Sequence, residues 1–410
     1  MELLRLTYRK FFKPKNAFLC LIVLVILLLT GACQRTEEGD EFALLKEQFQ
    51  AELDKLCAEA GFPGATAAFI LADGQTVGFA TGLADKDQNI PMTPETRMPS
   101  GSVGKTYVAA VAISLAHEGI LSLDDKIATW FSDEDWFSRL PNGPDITLRM
   151  LLTHSSGLKD HVYSPQFHHT LQEIISAPDA DLDYRFPLRD FVGFILDQEP
   201  LFPAGEGFAY TDTGYILVGM IIEKATGSDY YEELNKRVLI PLSLSRTTPA
   251  DRRDLEGLAN GHLAAKNLMG LPERTLENGM LLFNPINEWT GGGLVNNPQD
   301  LVRWAKLLYE EKALDKPYLD ELLNSGFRGE SADRRYGLGV SIRETEFGPA
   351  YGHGGWYPGY RTSMGYFSDH KIAIAIQVNT DFRVVSGQEK GVDLGPFEKK
   401  LMEVLLGRSE

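Results

Sequence analysis

Apolar residues recur with helical spacing in six stretches of the chain after residue 40. Side chains three and four positions apart lie on one face of an α-helix, so this pattern predicts helices that bury one side. The predicted helices cover 41–60, 103–118, 190–198, 213–226, 298–311 and 393–406. The middle of the chain is therefore predicted to be mostly helical.

Five other runs have the composition and alternation typical of β-strands. They cover 64–72, 75–83, 336–344, 359–367 and 371–378. Two lie near the start of the chain and three near its end, so we predict an α+β fold with one antiparallel sheet built from both chain ends and helices inserted between. The last helix is expected to pack on this sheet. The stretch 154–188 has little periodicity and is predicted to be a long loop, a kind of segment that often carries function.

The first 33 residues have the pattern of a targeting segment. Basic residues precede an apolar run at 17–29, and the run ends in Thr30-Gly31-Ala32-Cys33. A membrane-spanning helix needs about 20 apolar residues, so this shorter run fits a secretory signal. Its end resembles a bacterial lipobox, in which the signal is cut before a cysteine that is then lipidated, although Thr30 stands where leucine is preferred.

This pattern predicts how the whole chain is organised. Residues 1–32 are the expected signal peptide, residues 33–42 a polar tether, and residues 43–407 one folded domain. Cys33 is the expected lipidation site, so the domain would be exported and held at the cell envelope, on the periplasmic or extracellular side, by a lipid anchor in the membrane. The alternative is an uncleaved N-terminal anchor, which would also place the domain outside the cytoplasm.

Composition narrows the class of protein. A hydrophobic fraction of 43% allows a large core and excludes a disordered chain. The formal charge of −17 argues against a nucleic-acid-binding protein, which needs a basic face. Three cysteines supply no disulfide framework, and the histidines have no spacing typical of a metal site. Neither a metal nor another cofactor is therefore expected.

Ser102 and Lys105 form an S-x-x-K motif at the start of the predicted helix 103–118. Positions i and i+3 share a helix face, so the hydroxyl and the ammonium can meet, and a buried lysine can activate a serine as a nucleophile. A helix N-terminus also favours a developing oxyanion. The alternative is an N-cap serine with a solvated lysine, because average composition gives about one or two such motifs by chance in a chain of this length.

Two later motifs give the first one more weight. Y-T-D at 210–212 precedes a predicted helix, and H-G-G at 353–355 precedes two predicted strands. In this order the motifs resemble those of the serine β-lactamase and penicillin-binding protein family, in its class C-like branch. That branch has S-x-x-K, then Y-x-N, then K-T-G or H-x-G, and it includes D,D-carboxypeptidases, D-amino-acid amidases and peptidases, and carboxylesterases. The segments 151–158 and 291–294 strengthen the resemblance, which covers about 43–407.

The resemblance implies a two-lobed fold, with an antiparallel sheet flanked by helices, an all-helical lobe, and the active site between them. It implies that Ser102 attacks a carbonyl carbon and forms an acyl-enzyme. Lys105 and Tyr210 would share the proton transfers. Tyr210 is a candidate base as a phenolate, because a nearby cation such as Lys105 would lower its pKa from the usual value of about 10.

The resemblance also assigns the substrate-binding residues, which are Asp212, His353, Gly354, Gly355 and Trp356. The backbone N–H groups of the nucleophile and of Trp356 would form the oxyanion hole. The two glycines would let the strand approach the substrate closely. Trp356 is consistent with an apolar group on the substrate, although ordinary packing would explain an aromatic residue there equally well.

Two departures from the family pattern bear on the substrate. Asp212 replaces the family's asparagine, and an ionised carboxylate only accepts hydrogen bonds, so Asp212 would pair with Lys105 or attract a substrate ammonium. Alternatively, Asp212 only caps the helix that starts near Thr213. His353 replaces the lysine of β-lactamases, so a fixed positive charge is missing near neutral pH.

The sequence therefore predicts a serine hydrolase that acts through a covalent acyl-enzyme on a small ester, amide or peptide. The departures favour a carboxylesterase or a D-amino-acid-directed peptidase or amidase over an efficient β-lactamase. The alternatives are a β-lactamase, a D,D-carboxypeptidase, or a catalytically inert relative that binds peptidoglycan fragments.

Overall fold

The computed structural model describes residues 41–177, 179–324, 334–385 and 388–408. The predicted signal peptide, Cys33 and nearly all of the predicted tether lie outside these residues. Within the described ranges, no helix combines the length and the hydropathy that a bilayer crossing requires.

Eleven α-helices are described in these ranges, and six of them are longer than ten residues. They are α1 (41–60), α2 (Lys105–His117), α3 (Ala128–Phe131), α4 (Leu148–Leu152), α5 (Pro165–Ser176), α6 (Leu188–Gly193), α7 (Asp212–Thr226), α8 (Tyr230–Leu234), α9 (Pro298–Tyr309), α10 (Leu319–Leu323) and α11 (Gly395–Leu405).

The described strands fall into two groups, one near each end of the chain, with short pairs between. They are β1 (Gly64–Ile70), β2 (Thr76–Asp85), β3 (Ile90–Pro91), β4 (Met98–Pro99), β5 (Thr248–Pro249), β6 (Leu276–Glu277), β7 (Met280–Leu281), β8 (Leu294–Asn296), β9 (Arg334–Tyr336), β10 (Ser341–Thr345), β11 (Gly348–Tyr357), β12 (Tyr360–Phe367), β13 (Ile372–Val378), β14 (Phe382–Val385) and β15 (Gln388–Gly391).

One antiparallel sheet joins the two ends of the chain. Its strand order is β3-β2-β1-β13-β12-β11-β10-β9, and β1 pairs with β13 so that Ala68 lies opposite Ala375. The short strands β4, β8 and β5 form a separate three-stranded sheet. The arrangement confirms the predicted α+β fold, with an antiparallel sheet made from both chain ends and a mostly helical middle.

Helices cover both faces of the large sheet. Alternate residues of β1 point to opposite faces, as the pleat requires. Ala67 and Phe69 pack in a cluster with Phe49 of α1 and with residues of α11. Ala68 and Ile70 pack in the larger cluster that holds α2, α7 and α9. The sheet is therefore the shared wall of two cores, and α11 packs on it as expected.

Several elements differ from the sequence-based expectations, and one of them is the predicted helix 190–198, which is the shorter α6 and ends at Gly193. The predicted loop 154–188 contains the helix α5, which begins at a proline in the favoured first position and buries Phe167 and Leu171, four residues apart. The predicted strand 336–344 is two strands, β9 and β10, separated by a turn in which Gly339 has a φ of +69°. The H-G-G stretch, expected to precede strands, is itself part of β11.

Ser102 lies in a single 3₁₀ turn, Gly101–Gly104, that leads directly into α2. This turn touches β11 backbone to backbone. A Cβ atom at Gly101 would overlap the backbone of Trp356, and a Cβ atom at Gly355 would overlap the carbonyl oxygen of Ser100. The absence of a side chain at both positions brings Ser102 beside the strand.

The two glycines of the H-G-G motif provide a matched test of this contact. Gly355→Ala forces the turn away from β11, so we expect a loss of about 1–3 kcal/mol in stability and a large loss of hydrolysis. Gly354→Ala is the control, because its Cβ would meet nothing closer than the Thr362 carbonyl oxygen at 3.9 Å. Thermal unfolding and turnover of both variants decide the question, and equal behaviour of the two would contradict the contact.

Candidate active site

Lys105 is the first residue of α2, and its side chain has no solvent exposure. Its Nζ lies 3.0 Å from Ser102 Oγ and 2.5 Å from Asp212 Oδ1, and it also donates to the carbonyl oxygen of Gly291. The ring centroid of Tyr210 lies 4.9 Å from the same nitrogen. A buried ammonium needs several hydrogen-bond acceptors, because they replace the water that it loses on burial. The alternative of a solvated lysine beside an N-cap serine is therefore wrong.

Asp212 reaches Lys105 from the start of α7. The N-cap of this helix is Thr211, and no side chain makes a cap hydrogen bond there. Asp212 therefore lies in the first turn, where the helix dipole favours a negative charge. Its side chain is 22% exposed and lines the cleft, so one carboxylate both pairs with Lys105 and faces a ligand. This geometry favours the predicted ion pair over the capping alternative.

Tyr210 is brought to Ser102 and Lys105 as predicted, but its acidity differs from the expectation. Burial raises the pKa of the Tyr210 phenol well above its usual value, and the Asp212 carboxylate raises it further. An interaction with Ser102 lowers this pKa by less, and among the described residues the phenol oxygen has no well-aligned hydrogen-bond partner. The expectation that Lys105 lowers this pKa enough for a resting phenolate is therefore wrong. Tyr210 is a neutral phenol that can give a proton.

Two further carboxyl groups surround the ion pair. Asp160 lines the cleft, and burial together with Asp212 raises its pKa to about 7. Burial and Asp212 also raise the pKa of Glu288, to about 8. Glu288 Oε2 is buried and has no hydrogen-bond partner within the described chain. Three carboxyl groups therefore lie near one ammonium, and this arrangement would stabilise a second cation electrostatically.

His353 is held in the neutral form by its surroundings. Its Nδ1 donates to the Gly354 carbonyl oxygen at 2.5 Å, which leaves Nε2 to accept from the Tyr336 hydroxyl at 2.7 Å. Burial lowers the pKa of the imidazole to about 4, and Lys105 acts in the same direction. The site therefore has no positive charge at the third motif near neutral pH, as the sequence predicts.

A layer of aromatic rings supports these residues from behind. His154 is fully buried, its ring centroid lies 4.0 Å from that of Tyr210, and its Nδ1 accepts from the backbone N–H of Thr211. Its pKa is far below the usual value because of burial and Lys105. His154 therefore fixes the position of Tyr210 as an uncharged packing partner.

Sequence reasoning did not find Asp160, Glu288 and Tyr336. Asp160 lies in the stretch predicted as a loop, and Tyr336 lies in a short strand without a motif. Glu288 stands three residues before the glycines at 291–293, and that proximity was the one available signal.

The cleft in front of Ser102 has a volume of about 420 Å³. Its lining includes the predicted residues Asp212, His353, Gly354, Gly355 and Trp356. Lys105 lies beneath it and contributes its buried ammonium. The structure therefore brings every predicted residue of the folded domain to one place.

The chain is similar in sequence to known proteins. The sequence profile of the family described as Beta-lactamase matches residues 47–392. Penicillin-binding protein 4* of Bacillus subtilis (strain 168) is 28% identical over 73% of this chain and 64% of its own length. A D-aminopeptidase of Brucella anthropi is 24% identical over 77% of this chain and 56% of its own length. The chain thus spans less than two thirds of these curated relatives.

Solved structures are similar over more of their length. The D-amino acid amidase of Ochrobactrum anthropi SV3, complexed with L-phenylalanine, superposes with a TM-score of 0.71. It is 25% identical, and the match covers 88% of this chain and 98% of that one. A D-stereospecific amidohydrolase from Streptomyces sp. gives the same TM-score at 24% identity over 87% and 97% of the two chains, which supports the fold.

The raised pKa of Glu288 predicts how stability depends on pH. A carboxyl group whose pKa rises on folding contributes most below its unfolded value, near 4.5, and this contribution is lost as the pH rises towards 8. Glu288→Gln should therefore be more stable than the parent by at least about 1 kcal/mol at pH 8.5 and no more stable at pH 4. Thermal unfolding of both proteins between pH 4 and pH 8.5 checks this prediction.

The exposed residue Glu277 supplies the control, since Glu277→Gln removes the same charge outside the site. A stability gain for Glu288→Gln that is the same at both pH values would show that the buried charge is not its cause.

Proposed function

The chain belongs to the beta-lactamase family, and from that premise we propose that it is a serine hydrolase that cleaves amides of D-amino acids with a free amino group. The observation that carries this proposal is the excess of carboxyl groups beside Ser102. Lys105 balances the charge of Asp212, but Asp160 also lines the cleft. Among the described residues, the basic group within ion-pair distance of Asp160 is His161, whose imidazole is neutral because burial lowers its pKa to about 4. An ammonium placed there would relieve the repulsion between the two carboxyl groups and lower the pKa of Asp160.

The family's relatives support the same class of substrate. A D-aminopeptidase and a D-amino acid amidase are among the proteins that this chain resembles. The neutral His353 also supports this substrate class, because it leaves no fixed cation at the position that holds a lactam or peptide carboxylate in β-lactamases. Efficient β-lactam hydrolysis is therefore not favoured.

The geometry supports a proton relay through Lys105. The ammonium lies within hydrogen-bond reach of both Ser102 Oγ and Asp212 Oδ1. Lys105 would give one proton to Asp212 and take the hydroxyl proton of Ser102, whose oxygen then attacks the substrate carbonyl. The backbone N–H groups of Ser102 and Trp356 would hold the oxyanion. Collapse of the tetrahedral intermediate releases the amine, which takes a proton from Tyr210 or Lys105, and water then hydrolyses the acyl-enzyme.

A substrate panel tests the proposed specificity. We expect a D-alanyl p-nitroanilide to be cleaved at least about tenfold faster, in kcat/KM, than its N-acetyl derivative, its L-enantiomer or nitrocefin, because a charge-assisted contact at the amine is lost or misplaced. Asp160→Asn should raise KM for the free amine while the N-acetyl compound is unaffected. Asp393→Asn is the control, since it removes a carboxylate from another part of the same cleft.

The role of Ser102 is tested separately with a fluorophosphonate probe. The parent protein should be labelled on Ser102, and Ser102→Ala should lose the label together with several orders of magnitude of turnover. Hydrolysis retained by a Ser102→Ala preparation free of other enzymes would contradict the assignment. A labelled protein that cleaves nitrocefin, or a p-nitrophenyl ester added to the panel, in preference to the D-alanyl p-nitroanilide would keep the serine mechanism and overturn the D-amino acid specificity.

We also propose that the protein is exported and anchored at the cell envelope through a lipidated Cys33. Support comes from the basic, apolar and small-residue order that ends at this cysteine. Cys33→Ser should abolish incorporation of labelled fatty acid and change processing of the precursor. Intact mass spectrometry of the parent that finds an unmodified chain cut elsewhere would contradict the anchor.

A further inference from the structure

Arg361 is partly buried beside the cleft, and no described residue forms an ion pair with its guanidinium. It lies on β12 directly opposite Trp356 of β11. Its Nε is buried and makes no hydrogen bond, and no carboxylate within the described ranges comes within ion-pair distance of its guanidinium. Burial is the main influence on its pKa and lowers it. An unpaired guanidinium in such a place is costly unless a ligand pairs with it.

The nearest carboxylates are already occupied by other donors. Asp381 accepts from Trp356 Nε1 and from the backbone N–H of Gly359, both at 3.2 Å. Asp393 accepts from the backbone N–H of Gly395 at 3.0 Å. Both carboxylates influence the pKa of Arg361 without reaching ion-pair distance. None of the described residues therefore occupies the forked N–H donors of the Arg361 guanidinium, which remain available to a ligand.

The position of Arg361 suggests what that group is. The cleft in front of Ser102 adjoins a second cavity of about 620 Å³, and Arg361, Trp356 and Tyr163 line both. Apolar side chains, among them Leu271 and Phe382, line much of the second cavity. A guanidinium at the mouth of a partly apolar cavity is suited to an amino acid residue that has a free carboxylate and an apolar side chain.

Local charge supports the same ligand class. Two lysines, Lys266 and Lys390, also line the second cavity, together with two carboxylates, those of Asp381 and Glu389. With Arg361 this makes the cavity net positive by one charge, whereas the whole chain carries −17. The other arginines of the first cleft differ from Arg361, because Arg343 pairs with Glu398 at 2.5 Å, and Arg334 and Arg335 are exposed.

We propose that Arg361 is the carboxylate-binding residue of a leaving-group subsite, and that the enzyme prefers short D-peptides with both a free amino terminus and a free carboxyl terminus. This inference rests on the proposed function. The acidic residues beside Ser102 hold the substrate ammonium, and Arg361 holds the carboxylate of the departing residue, whose side chain enters the second cavity. Specificity then depends on both ends of a zwitterionic substrate.

The test measures binding, so that it does not depend on turnover. D-Alanyl-D-leucine and its C-terminal amide are titrated by calorimetry into the full chain carrying Ser102→Ala. We expect the free carboxylate form to bind at least about tenfold more tightly, as a charge-assisted pair requires. Equal affinities would overturn the proposal even without a further variant.

Two double variants then identify the residue responsible. Ser102→Ala with Arg361→Gln should lose the preference for the carboxylate, and with Arg361→Lys it should keep part of it. Ser102→Ala with Arg335→Gln is the matched control, since it removes an exposed arginine from the same cleft and should keep the full preference. The assignment would be overturned if the preference for the carboxylate is retained with Arg361→Gln or is lost equally with Arg335→Gln. If the Arg361→Gln variant does not fold, the Arg361→Lys variant decides.

Failure of this inference and failure of the proposed function give different results. If the parent cleaves D-aminoacyl amides but Ser102→Ala binds both peptides equally, only the subsite is wrong. If the parent cleaves none of them but Ser102→Ala still prefers the carboxylate through Arg361, the proposed function fails and the subsite stands.

Discussion

A fully buried ammonium at Lys105 is the constraint on which the rest of the site depends. Such a charge is tolerable only when acceptors replace the lost water, and here Ser102, Asp212 and the Gly291 carbonyl do so. Each acceptor comes from a different element, namely the 3₁₀ turn before α2, the start of α7 and the glycine segment before β8. The ion pair therefore fixes three parts of the helical region relative to one another, and the nucleophile is positioned as a result.

The pKa values of the residues around Lys105 and Asp212 depend on burial and on this ion pair. Burial and then Asp212 raise the pKa of Asp160, Glu288 and Tyr210, whereas burial and then Lys105 lower that of His353. The consequence is a site with a neutral phenol, a neutral imidazole and carboxyl groups that are poised near neutral pH. Directly beside Ser102, charge is concentrated in one ion pair and its acidic surroundings.

The sequence was sufficient for the elements whose signals are local. The long amphipathic helices and the motifs around Ser102, Tyr210 and His353 could be found from spacing alone, and the structure brings them together. Contacts that depend on distant segments could not. The acidity of Tyr210 depends on burial by side chains from elsewhere in the chain, and the exposure of Arg361 to a second cavity depends on segments that no pattern connects. The helix α5 was missed because its short apolar face is surrounded by proline and charged residues.

The pairing of β1 with β13 also has a consequence for how the chain is made. β1 is complete by residue 70, but its partner in the centre of the sheet spans Ile372–Val378. Until that partner has been synthesised, one hydrogen-bonding edge of β1 stays open, and the residues of both cores lack a shared wall. Contacts so distant in sequence also slow folding, because a long loop must close before they form. The chain thus reaches its folded state only after nearly all of it has been translated, and the export that we propose would use this delay, because a polypeptide crosses a narrow export channel before it acquires structure.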